Sequence, residues 1–138
     1  MSRPLAAALI ATVALLASTG CSTLADARAA KGSGQARVYN ASFDQVWNAV
    51  PAALKELGLK EEGFNKGSGY VVARSPMKVG ETIPVAGLAD NLAVFVDKGN
   101  GASQTRVEVV AKSTVPLNPL ARKWEIQVLD KLSEKLPR

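Results

Sequence analysis

The chain has 138 residues, with 17 Lys and Arg against 12 Asp and Glu, a formal charge of +5, no histidine and one cysteine. Without histidine there is no Ser-His-Asp triad, no Cys-His pair and no ordinary Cys/His zinc site. The basic residues are scattered, adjacent only at Arg122-Lys123, so the stripe of cations that marks a nucleic-acid footprint is missing and no nucleic-acid partner is expected.

Arg3 and the amino terminus supply a positive start, and Leu5 to Ala17 form an apolar run in which Thr12 is the one polar residue. Such a run is short of the roughly 20 residues of a spanning helix and fits the apolar part of a secretory signal. Ser18-Thr19-Gly20 then leads with small residues to Cys21. This approach resembles the lipobox of bacterial lipoproteins, with Ser18 in the place where that family usually has leucine. The resemblance implies a signal peptide over 1–20 and a Cys21 that carries a diacylglyceryl thioether and an amide-linked acyl chain, palmitate being typical. It also implies a lipid bilayer as partner and, because Ser22 is not aspartate, the periplasmic face of the outer membrane. The alternative is ordinary secretion, with cleavage near Ala17 or Gly20 and a free thiol.

Residues 22–35 are small and polar, with little to bury. They predict a flexible tether over 21–35 with a reach of about 20 Å. Residues 36–138 are expected to be a single domain with one modest core. Without residues 1–20, 16 basic and 12 acidic residues remain, a charge of +4.

Arg37 to Asn40 reads as a first strand. Ser42 and Gln45 stand at capping-box spacing. Phe43, Val46, Trp47, Val50, Leu54 and Leu57 then recur at the helical spacing of one apolar face, predicting a helix over 43–57 that ends at Gly58. Pro51 lies inside it and predicts a kink or a restart. Leu59 to Phe64 and Tyr70 to Ser75 predict a hairpin closed by residues 65–69. Asn91 to Asp97 and Gln104 to Lys112 predict a second one. In its return strand Thr105, Val107, Val109 and Ala111 alternate with Arg106, Glu108, Val110 and Lys112, so one face of the sheet is expected dry and the other wet. Asn118 and Pro119 suit the start of a last helix over 120–136, with a ridge of Leu120, Trp124, Val128 and Leu132 widened by Leu129 and Leu136. The expected fold is α+β: a two-layer antiparallel sheet with helices on one face, in the order β-α-β-β-β-β-α.

The run Tyr39 to Trp47, a strand leading into a helix with Val46-Trp47 on its apolar face, resembles the opening of helix-grip domains. The strand hairpins and long last helix extend the likeness over 36–136. Small outer-membrane lipoproteins share this layout, as does the accessory C subunit of the outer-membrane β-barrel assembly machine. The resemblance implies an envelope setting and transfers no functional residue.

No catalytic residue, metal ligand or cofactor is expected. The carboxylates Asp44, Glu61, Glu62, Glu81, Asp90, Asp97 and Glu108 form no recognisable pair and read as solvated surface charge. Asp97 and Glu108 match the ends of a calcium-loop count, but Gly99 replaces a ligand and Ala102 the required glycine, so a hairpin turn is the better reading. Residues 76–88 are long for a connection and apolar, with Met77, Val79, Ile83, Val85 and Leu88. They predict a contact surface for an envelope partner or, alternatively, an extra strand near 82–86 or a flap on the core. The leading functional expectation is a non-enzymatic, membrane-anchored lipoprotein with a role in protein interaction or envelope assembly. The alternative is a carrier or sensor of a small apolar ligand, held between sheet and last helix by Trp47, Phe95 and Trp124.

Overall fold

A computed structural model describes residues 23–79, 83–114 and 121–137, with the backbone alone at 76–79, 83–88, 121 and 122. Cys21, the leader over 1–20 and the helix-start residues Asn118 and Pro119 lie outside them. The elements are α1 (Leu24–Ala29), β1 (Gln35–Tyr39), α2 (Phe43–Glu56), β2 (Lys60–Asn65), β3 (Tyr70–Val79), β4 (Ile83–Lys98), β5 (Thr105–Ser113) and α3 (Ala121–Lys135). The strands form one antiparallel sheet in the order β1-β5-β4-β3-β2. The fold is therefore α+β, a sheet layered with helices, as the alternating pattern predicts.

The capping box forms as its spacing requires: Ser42 Oγ accepts from Gln45 N at 3.2 Å while Gln45 Oε1 accepts from Ser42 N at 2.9 Å. Of the kink or restart expected at Pro51, the restart does not occur, and α2 runs unbroken through it. Gly58 has a φ of 74°, the left-handed conformation that terminates the helix without a side-chain clash.

On one face of the sheet α2 contributes Val46, Val50, Ala53 and Leu54 to the core, and α3 contributes Val128, Leu129, Leu132 and Leu136. They close over Leu92, Val94, Val96, Val107 and Val109, the inward residues of β4 and β5. Tyr39 fastens the free edge of β1 beneath α3 by donating its hydroxyl to Leu129 O at 2.6 Å. The two tryptophans, on the apolar faces expected for their helices, lie at the rim of this core. Trp47 stacks on Phe43 with ring centres 5.8 Å apart, and Trp124 donates Nε1–H to Asp90 Oδ2 at 3.0 Å.

The other face corrects two expectations: it is not left wet, and residues 23–34 are not a flexible tether. α1 lies across it, with Ala27 fully buried against Ala93, Phe95 and Val110. A six-residue helix is marginal alone. This one is held at its start by a capping box, in which Thr23 Oγ1 accepts from Asp26 N and Asp26 Oδ2 accepts from Thr23 N at 2.6 Å. Arg28 donates to Tyr70 Oη at 2.9 Å, and Lys31 pairs with Asp97 at 2.8 Å while lying over the Phe95 ring. The small residues that look like linker are small because the helix lies close on the sheet. The element order is thus α-β-α-β-β-β-β-α, with helices on both faces.

Candidate interaction surfaces

The backbone of residues 76–79 and 83–89 forms a two-stranded arm. β3 pairs with β2 only over Tyr70–Arg74, and β5 joins β4 only from Asp90 onward. Between these limits Pro76 pairs with Ala89, Lys78 with Pro84 and Val79 with Ile83. The strand expected near 82–86 therefore falls within β4, which begins at Ile83, and residues 76–79 continue β3 where a connection was expected. Of the expected contact residues, Met77 and Val79 lie on the outgoing strand and Ile83 and Val85 on the returning one. A two-stranded ribbon has little stability of its own, and this one is rooted in the broad sheet.

A second feature organises the α1 face. Glu108, expected as solvated charge, is 1% exposed. Its Oε1 accepts from the backbone N–H of Gly32 and of Gly34, the latter at 3.2 Å, and Arg106 Nη1 reaches Oε2 at 3.1 Å. The carboxylate is therefore a latch on the turn that joins α1 to β1. Two further carboxylates are buried. Asp90 receives the Trp124 indole, and Glu125 of α3 accepts from Ala111 N at 3.1 Å, fixing the helix over the end of β5. Sequence reasoning missed these three roles. For Glu108 the available signal was Val110, the single apolar break in an otherwise wet register.

Clefts lie at the ends and edges of the sheet. One of about 640 Å³ runs between the start of α2, the turn after β2 and the end of β4, where Lys66 pairs with Asp44 at 2.9 Å. Gly69 in its wall has a φ of 68°, and a side chain there would meet Val96 O. A smaller cleft of about 300 Å³ lies between the start of α1 and the β2 edge, lined by Leu24, Ala25, Phe64, Tyr70 and Val72 among others. Neither lies between the sheet and α3. The lining expected for an apolar ligand there does not assemble, because Phe95 belongs to the α1 face while Trp47 and Trp124 pack against the opposite core. Among the described residues no three His, Cys, Asp or Glu side chains could hold a metal ion, and no helix is long and apolar enough to cross a membrane.

No family model and no curated protein matches the chain. Among solved structures it is similar to an uncharacterised protein from Bacillus thuringiensis. The two are 16% identical over 72% of this chain and 88% of that one, with a TM-score of 0.44.

Proposed function

We propose that the protein is a lipid-anchored, periplasm-facing module of the outer membrane, without catalytic activity, that binds an envelope protein through the arm at residues 76–89. The leader and Cys21 support the location. The arm carries the interaction reading: a two-stranded ribbon beyond the limits of the broad sheet has Met77, Val79, Ile83 and Val85 at alternate positions along its two strands. Apolar residues gathered on an otherwise marginal ribbon favour a partner that covers them.

Cys21→Ala should release the protein into the soluble periplasmic fraction. Val79→Glu with Ile83→Glu should abolish crosslinking to the partner in intact envelopes and leave stability within about 0.5 kcal/mol, as surface changes do. A large fall in melting temperature for the double variant would mean that the arm folds onto the core, since burying unpaired carboxylates is costly, and would end the interaction reading.

A further inference from the structure

We infer that the edge of the domain made by the start of α1 and by β2 rests on the bilayer, with Phe64 seated among the lipid head groups beside the anchor. This rests on the lipid-anchored reading and adds an orientation to it. A flexible tether over 21–35 would leave the domain free to turn. The docked α1 removes that freedom, because the helix is capped at Thr23 and packed on the sheet. Two peptide steps separate Cys21 from Thr23, at most about 7 Å. That is comparable to the depth of the polar head-group layer on one side of a bilayer, roughly 5–8 Å. The start of α1 therefore cannot leave the membrane surface while Cys21 is acylated and α1 stays docked.

What lies beside that start is suited to the place. Phe64 is 67% exposed, and with Leu24 and Val72 it lines the small cleft next to α1. A single exposed apolar side chain is ordinary on a soluble surface, but this one stands next to the point where the anchor must leave the domain. Exposed Phe, like Trp and Leu, gains by burial at the head-group boundary of a bilayer. Arg28 is fixed in the same wall by its bond to Tyr70, so the apolar mouth has a cation at its rim. Strand addition by a protein is the rival use of a free edge. Lys60, Glu61 and Glu62 place charges along β2, and its register shifts between Glu61 and Gly63. Both features discourage pairing with another strand, so the bilayer is the occupant that fits.

The test uses lipidated protein in vesicles of phosphatidylethanolamine and phosphatidylglycerol. Acylation removes the thiol of the one native cysteine, so Phe64→Cys and Ile126→Cys each create a unique labelling site. Ile126 is also exposed, on α3 over the opposite face. A bimane label at position 64 should lose most of its emission when the acyl chains are brominated, and a label at 126 should keep its own. If the protein floats with the vesicles and position 64 is quenched no more than 126, the bilayer-contact inference is overturned and the anchor reading stands. If the protein neither carries acyl groups nor floats, the anchor reading fails and this inference falls with it.

Discussion

Glu108→Leu tests whether α1 belongs to the fold. The substitution keeps most of the side-chain volume and removes the acceptor for Gly32 N–H and Gly34 N–H. Each donor left without a partner costs about 1–3 kcal/mol. Part of that is offset, because a carboxylate no longer has to be stripped of water. The Arg106 side chain is 42% exposed and already near Asp97, so its lost attraction counts for little. The net expectation is a loss of about 2–4 kcal/mol. Urea denaturation would measure it, and amide hydrogen exchange at Ala27 through Gly34 would locate it. If α1 detaches before the sheet melts, exchange there should rise from about thirtyfold to several hundredfold, since each 1.4 kcal/mol is a factor of ten. Glu108→Gln retains an acceptor for both amides and should cost about 1 kcal/mol. A Leu variant within 0.5 kcal/mol of the parent, with unchanged exchange, would refute the latch.

Two further expectations concern buried polar partners. Trp124→Phe removes the donor to Asp90 Oδ2 and leaves a buried carboxylate whose Oδ1 also has no hydrogen-bond partner. It should cost about 2 kcal/mol, and Asp90→Asn in the Trp124→Phe background should recover part of that in a double-mutant cycle. Burial holds the Tyr39 phenol above its ordinary value of 10.0. The protonated phenol is the form the fold favours, so its contribution is whole below the unfolded value and is lost as pH rises through the folded one. Alkaline titration of tyrosine absorbance should show one phenol ionising late, and Tyr39→Phe should remove both that step and the matching part of the fall in stability.

Periodicity made the principal core legible. α2, α3 and the inward residues of β4 and β5 follow from spacing alone, because each buries one continuous stripe against one partner. The α1 face did not follow, because its residues are ambiguous one at a time. Ala27 and Ala30 resemble linker until the close approach of a helix to a sheet is known, and Glu108 resembles surface charge until two backbone amides are found on it. Thr23 and Asp26 stand at capping-box spacing, but with Asp in place of the usual Glu or Gln the signal was weak. The arm was legible in part: the strand expected near 82–86 falls within β4, but its pairing with residues 76–79 did not follow from the sequence. Gly80 and Gly87 interrupt its strand pattern, and a ribbon paired on one side has no fixed alternation of dry and wet positions. In the expected ligand groove, Phe95 was placed on the wrong face, although it alternates with Val94 and Val96.

The pairing of β1 with β5 sets an order for folding. Gln35 meets Val109, and Gly32 reaches its carboxylate acceptor 76 residues later in the chain. β1 cannot acquire its partner until β5 is free of the ribosome, and the turn that joins α1 to β1 waits for the same strand. Long-range contacts of this kind slow collapse, because the loop must close before any contact rewards it. β1 is the first strand made and has no partner until the last one arrives, so the sheet closes only at β5.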